Sequence, residues 1–159
     1  MSKLTTLLMA VMFLMAASLA QAGDIEVLGV KFPEEKEVAG KTLKLNGVSY
    51  RKAMGFIKVY AVGLYLEKPT QNGEEVITSE QVKHRHFHYL TDKATKDKLQ
   101  DGFLEAMTKC NPAELVAKHQ GLIEQYKGWL DKDMAPGLTS TSTYVPGEGL
   151  TQVYQGQVK

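Results

Sequence analysis

The spacing of apolar residues along this chain switches from strand-like to helical and back, and those switches outline a fold. From Phe56 to Leu66 nearly every position is apolar and rich in Val, Ile, Tyr and Phe, which predicts a long strand buried on both faces. Strand alternation puts Phe56, Lys58, Tyr60, Val62, Leu64 and Leu66 on one face and Ile57, Val59, Ala61, Gly63 and Tyr65 on the other. Upstream, Ile25 to Phe32 alternates weakly and is expected to open the same sheet. Thr42, Leu43 and Leu45 begin a second extended stretch, with Asn46-Gly47 as a turn or bulge. After Pro69, Thr70 to Ser79 reads as one or two helical turns, and Val82 to Leu90 is extended again.

The period then becomes helical. Thr95 is placed to cap a helix with Asp97 in its first turn. Leu99, Phe103, Ala106, Met107 and Cys110 follow as one apolar stripe. Asn111-Pro112-Ala113-Glu114 predicts a restart, with a cap, a proline at the first helical position and an early acid. Leu115, Leu122, Tyr126 and Trp129 continue on one face, and both stripes are expected to be core. Pro136-Gly137 ends the helices, Leu138 to Val145 is extended, and Pro146 to Gly149 turns it back into Leu150 to Tyr154. Strands, then a helical pair, then a hairpin predict an α+β domain with a large, mainly antiparallel sheet and helices packed on one face.

The N-terminus changes the picture of where this domain works. Lys3, an apolar stretch from Leu4 to Leu19 and Ala20-Gln21-Ala22 before Gly23 have the order of a secretory signal peptide. Residues 1–22 are therefore read as the signal and 23–159 as the domain, cleaved after Ala22 and either periplasmic or secreted. The apolar stretch is shorter than the ~20 residues of a membrane span, so no stable membrane anchor is expected. The chain has 19 basic and 18 acidic residues; loss of Lys3 leaves the two signs equal. A neutral domain argues against nucleic acid or an acidic membrane surface as partner. Cys110 is the single cysteine, so no internal disulfide forms, and its place on the stripe predicts burial.

Two constellations carry candidate chemistry. Lys58 and Tyr60 interrupt an apolar face, with Arg51 just upstream. Polar groups in such a setting need partners, so they mark either a structural network or the wall of a polar-spotted cleft. His84, His86 and His88 alternate with Arg85, Phe87 and Tyr89, so three of the four histidines share one strand face. Three imidazoles at that spacing are able to reach one metal ion, though no acid or cysteine adjoins them; the plainer reading is a solvated strand face. There is no nucleophile elbow, phosphate-binding glycine loop or CxxC pair, and no cofactor is expected. Gly63 is expected to permit close packing.

Asn46-Gly47-Val48-Ser49-Tyr50-Arg51, with Phe56-Ile57-Lys58-Val59-Tyr60-Ala61-Val62-Gly63-Leu64-Tyr65-Leu66, resembles the chalcone isomerase-like family. Val145-Pro146-Gly147-Glu148-Gly149-Leu150-Thr151 resembles that family's later hairpin. The likeness runs from about Ile25 to Lys159. It implies a large curved sheet with helices on one face, an open-faced β-sandwich, and a ligand cleft between helices and sheet. It also implies a family arginine at Arg51, whose guanidinium in the plant enzymes holds a phenolate and the developing enolate. This chain departs from those enzymes. Tyr60 stands where they have a threonine, no counterpart of their tyrosine and asparagine occurs around Thr95 to Phe103, and the chain reaches Lys159 before their last polar contact and last helix.

The resemblance thus allows three readings. The first is a non-enzymatic binder of a small hydrophobic or amphipathic ligand, a fatty acid or planar phenolic, with Arg51, Lys58 and Tyr60 as anchors. The second is an intramolecular lyase of the chalcone isomerase type using Arg51 and Tyr60. The third is a structural or protein-interaction role, and a missing last helix would leave a core edge for a homo-oligomer to cover.

Overall fold

The computed structural model describes residues 23–159; the predicted signal peptide lies outside them. Thirteen elements follow in order: β1 (Ile25–Val27), β2 (Val30–Phe32), β3 (Glu35–Val38), β4 (Lys41–Ala53), β5 (Ile57–Leu66), α1 (Gly73–Thr78), β6 (Lys83–Tyr89), α2 (Lys96–Cys110), α3 (Ala113–Lys118), α4 (Gln120–Trp129), β7 (Thr139–Val145), β8 (Gly149–Tyr154) and β9 (Gln157–Val158). Strands β3 to β9 form one seven-stranded sheet in sequence order, and every pairing is antiparallel. The α+β expectation of an antiparallel sheet with helices on one face holds.

Alternation divides the sheet into two unlike faces. The first carries Tyr60, Val62 and Leu64 from β5, which register against Tyr89, Phe87 and Arg85 of β6. Phe87 and Arg85 in turn register against Ser140 and Ser142 of β7, and those against Tyr154 and Gln152 of β8. The helices pack here. Tyr89 and Tyr154 are buried with Ala94, Leu130 and Met134, and Leu99, Phe103 and Tyr126 close over them. Polar groups bind the two layers. Gln152 accepts from Tyr126 at 3.2 Å and from Ser142, the Tyr154 hydroxyl donates to the Lys132 carbonyl at 2.7 Å, and Gln100 bridges the carbonyls of Lys127 and Leu130.

The second face carries Ala61, Gly63 and Tyr65 beside His88, His86 and His84. Here the N-terminal segment departs from expectation. Strands β1 and β2 do not open the main sheet but form a separate two-stranded ribbon. Phe32 comes off its end, is fully buried, and meets the edge of the His88 ring at 5.3 Å. A second core cluster, Leu43, Tyr65 and Val82 with Val38, Leu45 and Val145, closes the same face at its other end.

Several expected core residues lie outside. The β5 run is not buried throughout: Phe56 precedes the strand and is 74% exposed, Lys58 is exposed, and full burial begins only at Ala61. No cover reaches that outer end of the hairpin. Cys110 is exposed, because the α2 stripe outruns the sheet beneath it; only Leu99 and Phe103 reach the core cluster. The second helix breaks at His119, whose φ of −111° and ψ of 17° leave the helical range. The break throws Leu115 and Leu122 outward, while Tyr126 still stacks on Phe103 at 4.7 Å. Pro112 sits at the cap rather than the first helical position.

Gly63 packs as its place in the strand suggested. A Cβ built on it would come within 2.7 Å of the Phe32 ring. A fully buried aromatic ring has little room to retreat. Gly63→Ala is therefore expected to destabilise the fold by about 1–3 kcal/mol, read as a lower urea midpoint with an unchanged slope. An unchanged midpoint would show that the ribbon does not rest on β5.

Candidate functional site

A cleft of about 380 Å³ opens on the helix-bearing face, lined by Gly47, Val48, Ser49, Tyr60, Val62, Leu64, Arg85 and Phe87. It occupies the part of that face that the helices leave bare. Their core contacts fall on Tyr89, Tyr154, Tyr60 and Phe87, while Ser49, Val62, Leu64 and Arg85 lie beyond them. The β4 bulge at Asn46 shifts the register so that Gly47 opposes Leu64 and Ser49 opposes Val62. Glycine and serine there leave room over the aliphatic floor that larger side chains would fill.

The walls combine a long apolar surface with few polar groups. Tyr60 is half-buried and set edge-on to Phe87 at 5.3 Å and to Tyr89 at 6.2 Å. Two strand residues along from Tyr60's neighbour Phe87, Arg85 reaches back with its guanidinium carbon 5.8 Å from the Phe87 ring centroid. Arg85 is exposed and engages no acid among the described ion pairs. A guanidinium beside an apolar trough is suited to take a carboxylate or phenolate in a two-point contact, and the Tyr60 and Ser49 hydroxyls add hydrogen-bonding capacity.

The structure sorts the expected anchors. Arg51 lies directly across from Tyr60 in the β4–β5 register, so those two are brought together. Arg51 is nevertheless exposed and outside the cavity lining, where its field reaches Glu105 of α2. Lys58 pairs across from Lys52, farther out on the hairpin, and is also exposed. Only Tyr60 of the three lines the cleft. Arg85 and Phe87 were legible as one strand face opposite the histidines, but their sharing a wall with Tyr60 depends on the β5–β6 register.

A second cavity, of about 400 Å³, lies between α2, α3 and α4 and is lined by Leu104, Met107, Val116 and Ile123 among others. Its one charged lining residue is Glu124, so it offers nothing to an anionic head group. The sheet cleft is the better candidate despite being slightly smaller.

The histidine strand does not form a solvated face. His84 is buried and its Nδ1 meets the Thr143 hydroxyl at 2.9 Å. The Lys36 ammonium donates to His86 Nδ1 and lies 5.3 Å from the Tyr65 ring centroid. A cation thus already occupies the position between the rings, and Phe32 covers His88. Among the described residues no set of three His, Cys, Asp or Glu side chains is placed to hold a metal ion. Tyr65 keeps a buried hydroxyl without a partner among the described residues, and burial, with the Asp24 carboxylate, pushes it up to about 12.

Burial first, and the Lys36 charge second, hold His84 down at about 4 and His86 at about 3; His88 is lowered by the same causes. Unfolded histidines take protons near pH 6.5. Below that value the unfolded chain binds protons that the folded chain refuses, so stability is complete above about pH 6.5 and falls as pH drops toward about 3. The urea midpoint is expected to decline between about pH 7 and about pH 4, and Lys36→Met is expected to remove part of that decline. Identical acid profiles for both proteins would show that Lys36 does not act on the histidines.

A family model described as chalcone isomerase-like matches residues 24–159. No curated protein matches the chain in sequence. Among solved structures, a fatty-acid binding protein from Arabidopsis thaliana superposes with a TM-score of 0.66 at 15% identity, covering 86% of this chain and 80% of its own. At that identity the likeness speaks for the fold, and the curled seven-stranded sheet with helices on one face is common to both.

Proposed function

Because the chain belongs to the chalcone isomerase-like family, we propose that it is an exported, non-enzymatic binder of a small amphipathic ligand, a fatty acid or a planar phenolic. The observation that carries this reading is the exposed Arg85 guanidinium at the rim of an apolar trough built from Tyr60, Val62, Leu64 and Phe87. The trough takes the hydrophobic body, Arg85 takes the anionic end, and the Tyr60 phenol adds a hydrogen bond. Its volume lies within the ~300–1,000 Å³ usual for small-molecule sites. The fatty-acid binding of the Arabidopsis thaliana neighbour supports the same ligand class. Export rests on the Lys3, Leu4–Leu19 and Ala20-Gln21-Ala22 pattern.

The Arg51–Tyr60 pairing is the one observation that favours an intramolecular lyase instead. Catalysis needs the cation held against the reacting oxygen in a site that excludes water. Arg51 stands in solvent outside the cavity lining, which favours binding over turnover.

Native mass spectrometry of the purified protein with added oleate is expected to show a one-to-one complex. Arg85→Ala is expected to weaken it about tenfold, since a hydrogen bond to a charged group contributes about 1.5–3 kcal/mol and this one is partly solvated. Tyr60→Phe should weaken binding less, and Arg51→Ala less than Arg85→Ala. Chalcone absorbance is expected to decay at the spontaneous rate. Absence of any complex with fatty acids or phenolics would remove the binder reading; a rate that disappears in Arg51→Ala would establish the lyase.

A further inference from the structure

The outer end of the β4–β5 hairpin is built against the usual rules for a solvent-exposed turn. Met54 is 80% exposed and Phe56 74% exposed. Met54 also has a φ of 51°, followed by Gly55 at 77°. The left-handed region suits Gly, Asn or Asp in such a turn, so a long apolar side chain there is held at a cost and presented outward. Tyr50 is half exposed on the neighbouring strand, with the Lys52 ammonium over its ring at 5.4 Å.

Cations ring this tip. Arg51 and Lys52 stand on one strand and Lys58 on the other, and Lys52 registers directly opposite Lys58. Like charges in a cross-strand pair repel. From Lys41 to Leu66 the chain has five basic residues and no acid. Glu105, an acid within the field of Arg51, is tied to Lys109 on its own helix at 2.5 Å. The net neutrality of the domain conceals this local excess.

We propose that the β4–β5 tip docks on an anionic lipid surface, with Met54 and Phe56 entering the head-group region and Arg51, Lys52 and Lys58 lying at the phosphates. Apolar side chains at a protruding tip with a basic collar match the two attractions that hold peripheral proteins to anionic bilayers. Tyr50 fits the same interfacial layer, where amphipathic rings are favoured. No helix among the described residues is long and apolar enough to span a membrane; the proposed contact is made by the tip at the bilayer surface. Tyr60 lies on β5 four residues after Phe56, at most about 13 Å at strand rise. Docking therefore brings the cleft mouth near the bilayer, but it stands on the tip alone and holds whatever the cleft binds.

The test is flotation with vesicles of phosphatidylcholine alone or mixed with phosphatidylglycerol, using the whole chain. Its apolar Leu4–Leu19 segment is common to all variants, so differences between them report the tip. The expected result is stronger flotation with the anionic vesicles, released by raising salt. Met54→Ser with Phe56→Ser, and separately Lys52→Glu, should each lower partition by roughly tenfold. Both variants should keep the oleate complex seen by mass spectrometry, which separates this proposal from the ligand reading. Equal flotation of all variants, or no preference for anionic vesicles, would overturn it. So would a soluble dimer that Phe56→Ser dissolves while vesicles leave it intact, because the tip would then serve a second copy of the chain.

Discussion

The pairing of β5 with β6 is the constraint on which the rest of this molecule depends. β6 is the central strand of seven, and its alternation separates two incompatible sets of side chains. Arg85, Phe87 and Tyr89 must face the helices with Tyr60, Val62 and Leu64, while His84, His86 and His88 face the ribbon with Ala61, Gly63 and Tyr65. A one-residue slip would send three imidazoles under the helices and a guanidinium beneath Phe32. Neither group would find its present partners, and buried polar groups without partners are costly. The register is therefore enforced from both faces at once, and the cleft inherits its geometry.

The two faces are closed by different means. On one, helices α2 and α4 set aromatic rings on Tyr89 and Tyr154 and are tied down by Gln152, Ser142 and Gln100. Their coverage ends before Ser49, Val62, Leu64 and Arg85, and that incompleteness makes a cleft. On the other, the fully buried Phe32 ring fits over Gly63, Tyr65 packs with Leu43 and Val82, and one lysine is drawn onto a histidine. Burial and the Lys36 charge hold the histidines of that face toward their neutral form.

The same sheet distributes its charge unevenly along β4 and β5. At the inner end of the hairpin Leu43, Ala61, Tyr65 and Leu66 are buried in the core, whereas the outer half carries Arg51, Lys52 and Lys58 around Met54 and Phe56. One hairpin thus combines a structural end, a cleft wall and an exposed tip. This explains why the apolar run from Phe56 to Leu66 reads as uniformly buried in sequence but is not so in space: hydrophobicity alone does not distinguish a side chain awaiting a protein neighbour from one awaiting another kind of partner.

Much of the architecture was determined by local pattern. The order of strands β4 to β8 and of the helices between them, the Asn46 bulge, the hairpin at Pro146 and the need for a glycine at position 63 all follow from residue periodicity and short-range stereochemistry. Family membership was likewise legible in the stretch from Asn46 to Leu66, because that strand carries fold and family pattern together. Tertiary structure alone decided what the polar groups do. Which face of β6 meets Tyr60, whether Lys36 lies over the histidines, and where the helices stop covering the sheet are contacts between residues distant in sequence. Arg85 could not be chosen over Arg51 and Lys58 as the cleft's cation until the register had placed it, since alternation along a strand specifies which residues share a face and is silent about what that face meets.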